Sequence, residues 1–126
     1  MEPSPAAPRS FRDVQFVFLD RDGVINRKPP EGKYVVSWND FDILPGAEEA
    51  IALLNRSGRK VILVTNQRGI ALGLYSEHEL TLLHNYLLKH LAAHSARLDA
   101  IYYCPHDKSQ CECRKPKSGL FQKAFR

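Results

Sequence analysis

Three short apolar runs alternate with two amphipathic segments along this chain of 126 residues. The apolar runs cover roughly 14–20, 60–65 and 98–103, and each is nearly continuous. Runs of this kind are typical of strands in a parallel sheet that is covered on both faces. The order strand, helix, strand, helix, strand therefore predicts an α/β fold with a doubly wound parallel sheet.

The two amphipathic segments predict helices. The first covers 47–56, directly after Pro45-Gly46, and we expect Ile51, Leu53 and Leu54 to face the core. Ser76 and Glu79 have the spacing of a capping box that opens the second helix, which then runs to about His94. Leucines recur along this second helix at helical spacing: Leu80, Leu83, Leu87, Leu88 and Leu91.

Two further patterns concern polar and β-prone residues. The residues 34–38 (Tyr-Val-Val-Ser-Trp) form a short β-prone stretch before the first helix. The second helix carries four of the five histidines, and we interpret them as a polar helix face: His78, His84, His90 and His94.

Composition limits the class of protein. The length allows one domain, and no apolar run could span a bilayer. Three prolines within residues 1–8, with no apolar segment, predict a flexible tail over 1–11 and not a secretion signal, followed by a single domain over 12–126. We therefore expect a cytoplasmic protein. The net charge of +4 suits an anionic substrate, although a solvated face explains it as well. The chain shows no basic stripe with interleaved aromatics, so we expect no nucleic-acid partner, and we expect no membrane partner.

Two carboxylates follow the first predicted strand. Asp20 and Asp22 flank Arg21 and precede Gly23, at the carboxyl end of a strand, where open α/β sheets bind ligands. One carboxylate can act as nucleophile and metal ligand, and the other as general acid and base. An ordinary turn between a strand and a loop would use the same residue types.

The second strand ends in a similar polar group. Thr65 and Asn66 offer a hydroxyl and an amide that can donate to a phosphoryl oxygen, and Gln67 and Arg68 follow in the loop. The same residues before Gly69 could form a simple turn. Because two neighbouring strands end in such groups, we expect one binding site at this edge of the sheet.

All three cysteines and one histidine fall within ten residues after the third strand. Cys104, His106, Cys111 and Cys113 match a structural, four-coordinate zinc site, although buried cysteines that never meet are the alternative. Arg114-Lys115-Pro116 follows directly. Zinc would hold these two cations where they could neutralise phosphate charge, whereas without it they would form a surface basic patch.

These segments together resemble a known family. The segment 18–26 (Phe-Leu-Asp-Arg-Asp-Gly-Val-Ile-Asn) is similar to the first motif of haloacid-dehalogenase-like phosphatases. The segment 64–71 and the zinc loop with 114–116 resemble the branch that contains heptose bisphosphate and histidinol phosphatases. The form of 66–73 is closer to the heptose 1,7-bisphosphate enzymes. The resemblance implies a Rossmann-like core and hydrolysis of a phosphomonoester of a sugar bisphosphate, with histidinol phosphate as the alternative substrate.

The resemblance also implies roles for the site residues. Asp20 would be the nucleophile that becomes an aspartyl-phosphate, and Asp22 would protonate the leaving oxygen and then activate water. Thr65 would steady the phosphoryl group. Mg²⁺ would be held by Asp20 and by the backbone carbonyl of Asp22. The substrate would be bound by a larger group: Asn66, Gln67, Arg68, Arg114 and Lys115.

One departure from the family concerns its fourth, acidic motif, because no Asp or Glu follows Glu112. We therefore expect a sheet that is incomplete at its C-terminal side, in a fragment of a longer protein. A complete domain is expected to be monomeric. This chain alone is expected to be a poor or inactive phosphatase that is unstable or self-associating. The alternative function is not enzymatic: the chain would be a non-catalytic zinc-binding fragment.

The cysteine and histidine spacing generates the first prediction. Elemental analysis of the purified chain is expected to give about one zinc per molecule, since four protein ligands complete a tetrahedral site. The variant Cys111→Ser is expected to lose that zinc. A folded chain that purifies without metal would contradict the prediction.

Overall fold

A three-stranded parallel sheet with the order β1-β2-β3 forms the centre of the computed structural model, which describes residues 15–105. The strands are β1 (Phe16–Leu19), β2 (Lys60–Asn66) and β3 (Ala100–Cys104). Leu19 pairs with Leu63, and Asn66 pairs with Cys104. Because all three strands are parallel, their carboxyl ends lie at one edge of the sheet.

The two helices agree closely with the amphipathic pattern. Helix α1 (Ala47–Arg56) follows β1, and helix α2 (Glu77–Ala93) follows β2. The predicted capping box is confirmed: the backbone N–H of Glu79 donates to Ser76 Oγ over 3.1 Å, and that of Ser76 donates to Glu79 Oε1 over 3.1 Å. Such a box satisfies two N–H groups that the first turn would otherwise leave without partners.

Three expectations about local structure were wrong. The β-prone stretch 34–38 forms no strand, and a 3-10 helix (Trp38–Asp40) begins at its end. Leu53 is 60% exposed, because α1 turns Ile51, Ala52 and Leu54 toward the core instead. The histidines of α2 do not form one polar face, since His84 is buried at 5% exposure.

The core lies mainly on one face of the sheet. Val61 and Leu63 of β2 belong to a large buried cluster that also contains Ile51 of α1 and Leu87 of α2. The alternate residues of β2 point to the other face, where a smaller cluster forms from Ile62, Val64 and Cys104. Both helices therefore pack on the same face of the sheet. Within residues 15–105, neither helix is long and apolar enough to cross a membrane.

The packing of α2 generates the second prediction. Leu87 is fully buried, so Leu87→Ala is expected to lower the free energy of unfolding by about 2–5 kcal/mol through lost burial and a cavity. Leu82 lies on the same helix at 46% exposure, and Leu82→Ala is the matched control, with an expected change within about 0.5 kcal/mol. Urea unfolding of the three proteins measures both values. Equal losses in the two variants would mean that α2 does not face the sheet in this register.

Candidate active site

The loop that follows β1 brings Asp20 and Asp22 to the carboxyl edge of the sheet. It is closed by the backbone carbonyl of Arg21, which accepts from the N–H groups of Val24, Ile25 and Asn26 at 2.8–3.2 Å. Gly23 has a φ of 89°, in the left-handed region that L side chains rarely adopt. The tight loop leaves Asp20 exposed and Asp22 half-buried.

The side chain of Arg21 lies beneath this loop and is fully buried. Its Nε and Nη2 donate to Asp22 Oδ1 at 3.1 and 3.0 Å, and its Nη1 donates to His84 Nε2 at 3.1 Å. The guanidinium also lies 5.7 Å from the centre of the Phe41 ring, within the range of a cation–π interaction. Arg21 therefore fixes the carboxylate of Asp22 from below.

His84 is held in its neutral form. Burial, together with a smaller effect of the positive charge of Arg21, lowers the pKa of His84 to about 3. A neutral imidazole can accept from Arg21 only with its proton on Nδ1. His84 thus supplies an acceptor for a buried cation without adding a second positive charge.

Asp22 receives three side-chain hydrogen bonds on a single oxygen. Besides the two from Arg21, Asn26 Nδ2 donates to Asp22 Oδ1 over 3.0 Å. The described side chains that bind this carboxylate all use Oδ1, which leaves Oδ2 for chemistry. Such an arrangement holds one carboxylate oxygen still while the other can exchange a proton with a substrate.

The end of β2 and the loop after it form the side of the site that faces the β1 loop. Thr65 is 1% exposed, and its Oγ1 accepts from Gln67 Nε2 over 3.1 Å. Gln67 Oε1 in turn accepts from the hydroxyl of Tyr75. Burial raises the pKa of Tyr75 to about 12, so this phenol stays protonated and remains a donor. Gln67 itself is 1% exposed and holds this side of the site together.

Gly69 lies against the ring of Tyr75. A methyl group at position 69 would overlap that ring. The loop after β2 can therefore fold over Tyr75 only with a glycine at this position, which keeps the hydroxyl of Tyr75 on Gln67.

An open cleft of about 420 Å³ lies between the loops that follow β1 and β2. It brings together Asp22, Asn66 and Arg68, which the sequence had placed in one site. Lys28 and Lys33 add two further cations, and Glu31 is the second acidic residue in the lining. The lining has three cationic side chains against two carboxylates, and this excess of positive charge favours an anionic ligand.

Comparison with known proteins agrees with this geometry. The chain is 44% identical, over 82% of its own length and 55% of the relative's, to D-glycero-alpha-D-manno-heptose-1,7-bisphosphate 7-phosphatase of Mycobacterium tuberculosis. It is also 44% identical, over 86% of its length and 61% of the relative's, to D-glycero-beta-D-manno-heptose-1,7-bisphosphate 7-phosphatase of Vibrio cholerae. No family model matches the chain.

Solved structures show the same relationship. A D,D-heptose 1,7-bisphosphate phosphatase from B. bronchiseptica, complexed with magnesium and phosphate, superposes with a TM-score of 0.82 at 37% identity. That match covers 90% of this chain and 63% of the other. A HAD-like phosphatase from Mesorhizobium loti superposes with a TM-score of 0.72 at 29% identity, over 88% and 55% of the two chains.

The chain is a haloacid-dehalogenase-like homologue of the heptose bisphosphate phosphatases. The resemblance carried by its motifs and the predicted α/β fold are thereby confirmed. The chain spans between 55% and 63% of the length of the curated relatives named here and of their solved neighbours.

Several site residues of this HAD-like chain lie outside residues 15–105. Cys104 ends β3 and is buried beside Ile62 and Val64, which places the first predicted zinc ligand at the carboxyl edge of the sheet. The other predicted ligands and cations lie beyond the described residues, and their roles stay predictions: His106, Cys111, Cys113, Arg114 and Lys115.

Four residues of the HAD-like site were not predicted from the sequence: Lys28 and Lys33 in the cleft lining, and the buried residues Arg21 and His84. His84 lies four residues after Leu80 and three before Leu87, so helical spacing alone could have placed it on the buried face of α2. Arg21 had no comparable signal, because nothing local distinguishes a buried arginine between two aspartates from an exposed one.

The buried neutral His84 generates the third prediction. Because its pKa is low in the folded protein and ordinary in the unfolded chain, the unfolded chain binds the extra proton below about pH 6.5. Stability from this group therefore falls with pH from about 6.5 toward 3, by about 1.4 kcal/mol per pH unit. His84→Gln keeps an acceptor for Arg21 and removes the titration.

Urea unfolding of wild type and His84→Gln at pH 7.5 and 5 measures this effect. The variant is expected to gain about 2 kcal/mol relative to wild type at the lower pH. His78→Gln, which removes an exposed histidine of the same helix, is the matched control. Parallel stability curves for wild type and His84→Gln would show that His84 is not buried in neutral form.

Proposed function

We propose that this chain carries the nucleophile and the acid–base group of a phosphatase that hydrolyses a phosphomonoester of a heptose 1,7-bisphosphate. The observation that supports it most directly is the placement of Asp22, Asn66 and Arg68 around one cationic cleft, with Asp20 at the end of β1. The substrate class follows from the relatives, which are heptose 1,7-bisphosphate 7-phosphatases.

In this proposal Asp20 attacks the phosphorus atom, and the bond to the sugar oxygen breaks as the new bond to Asp20 forms. Asp22 gives a proton to the departing sugar oxygen. A water molecule then attacks the aspartyl-phosphate while Asp22 takes its proton, and inorganic phosphate leaves. The exposed position of Asp20 and the fixed Oδ1 of Asp22 suit these roles, since phosphoryl transfer depends mainly on positioning.

The donor set at the end of β1 fits Mg²⁺. Asp20 and the carbonyl of Asp22 offer the oxygen ligands that this hard cation prefers. When bound, Mg²⁺ would neutralise charge on the transferring phosphoryl group. The solved B. bronchiseptica phosphatase holds magnesium and phosphate, which supports the assignment.

Substrate contacts divide between two groups of residues. Asn66 and Arg68 line the cleft and are proposed to bind the substrate directly, with Lys28 and Lys33 beside them. Gln67 is proposed to act indirectly: its amide donates to Thr65 Oγ1 and so positions Thr65 for contact with the phosphoryl group. A bisphosphate suits this cleft because Lys28 and Lys33 can bind its second phosphate.

We also propose that the loop after β3 binds zinc and that the protein is cytoplasmic, as the sequence leads us to expect. Zinc on Cys104 and its three predicted partners would give the loop after β3 a fixed shape and bring Arg114 and Lys115 toward the cleft. A thiol-rich metal site of this kind suits a reducing compartment.

The mechanism generates the fourth prediction. Asp20→Asn is expected to reduce phosphate release to background, because an amide cannot form the acyl-phosphate. Asp22→Asn is expected to lower turnover by roughly 10²–10⁴-fold through loss of the proton carrier. The matched control is Asp42→Asn, which removes an exposed carboxylate paired with Arg27 outside the cleft.

Phosphate release is measured with and without Mg²⁺ on the α and β anomers of heptose 1,7-bisphosphate and on histidinol phosphate. Because we expect slow turnover, binding of the same compounds to Asp20→Asn is measured by calorimetry as a second readout. Mg²⁺-dependent release that requires Asp20, or binding selective for the bisphosphates, supports the proposal. Release equal to that of Asp20→Asn, together with no binding, would overturn it, and preference for histidinol phosphate would overturn the substrate assignment.

A further inference from the structure

A second group of metal-ligating side chains lies where α1 packs beside α2. Glu48 comes from the first turn of α1 and His90 from the last turn of α2, while His94 is the residue that caps the C-terminus of α2. None of the three lines the cleft between the β1 and β2 loops. The two histidines are four residues apart, and the imidazoles of both point toward Glu48.

The three ligand atoms already lie close together. His90 Nε2 is 2.8 Å from Glu48 Oε2, and His94 Nε2 is 3.7 Å from the same oxygen. The two imidazole rings have their centres 4.7 Å apart. One ligand atom from each residue can be chosen so that all three lie within 4.8 Å of one another.

These distances suit a transition metal. With metal–ligand bonds of about 2.0–2.1 Å, two ligands of a tetrahedral zinc lie roughly 3.4 Å apart. The spacing between His94 and Glu48 is near this value, and the spacing between His90 and Glu48 needs to open by only about half an ångström. Imidazole nitrogens with one carboxylate favour zinc or nickel over magnesium or calcium.

We propose that Glu48, His90 and His94 form a binding site for a divalent transition-metal cation, separate from the active-site cleft and from the predicted cysteine site. A metal here would join the N-terminal turn of α1 to the C-terminal turns of α2. Three protein ligands leave a fourth position for water or another ligand. Because α2 also carries His84, the metal would restrain the helix that supports Arg21.

The fluorescence of one tryptophan can report metal binding at this site. Trp38 is the single tryptophan of the chain, and its ring centre lies 5.4 Å from that of His90. Ni²⁺ at the site is therefore expected to quench tryptophan fluorescence. The protein is first saturated with zinc and desalted, so that the predicted cysteine site is filled before Ni²⁺ is titrated at pH 7.5.

Wild type is expected to show saturable quenching that added Zn²⁺ reverses. His94→Gln and Glu48→Gln are each expected to weaken Ni²⁺ binding at least about tenfold, since loss of a group that merely orients a ligand already costs about 10–100-fold. His78→Gln, on the same helix, is the matched control and should bind as wild type does. Circular dichroism confirms that each variant is folded.

Equilibrium dialysis of Ni²⁺ against the same four proteins gives a readout that does not depend on tryptophan. Loss of about one bound Ni²⁺ per chain in His94→Gln, but not in His78→Gln, supports the site. Equal binding by wild type and His94→Gln, or no saturable quenching in wild type, would show that the three residues form a hydrogen-bonded cluster only and would overturn the proposal.

Discussion

The burial of one guanidinium group determines how the active-site loop is built. Arg21 is fully buried, and a buried charge is costly unless it is paired and hydrogen-bonded. Its partners come from three parts of the chain: Asp22 on the loop, Phe41 after the 3-10 helix, and His84 on α2. The loop, the 3-10 helix and α2 must all be in place before this charge is satisfied. The arrangement of Asp22 is thereby tied to packing more than sixty residues away in the sequence.

The regular elements could be predicted from the sequence because their signals are local. Helix α1 was predicted at its observed bounds, and the capping box fixed the start of α2. The stretch 34–38 shows where a local signal fails. It has β propensity, but within residues 15–105 no strand pairs with it, and Trp38 instead stacks on Phe41 at 5.2 Å. Propensity is a weak guide where pairing is absent.

The position of the site could be predicted from the sequence only through the ends of the predicted strands. Asp22, Asn66 and Arg68 meet in one cleft because parallel strands end at the same edge of the sheet. The pairing of Asp22 with Arg21 and of Gln67 with Tyr75 was not predictable, since it depends on side-chain packing. The same limit applies to the cluster of Glu48 with His90 and His94, in which Glu48 is more than forty residues from both histidines along the sequence.

The close approach of Gly69 to Tyr75 constrains how this protein can diverge. Any side chain at position 69 displaces the phenol ring, and with it the hydroxyl that donates to Gln67. A smaller residue at position 75 would make room but would leave the buried amide of Gln67 short of a donor, which costs about 1–3 kcal/mol. We therefore expect positions 67, 69 and 75 to tolerate substitution only in combination, because a change at one removes a contact that the other two depend on.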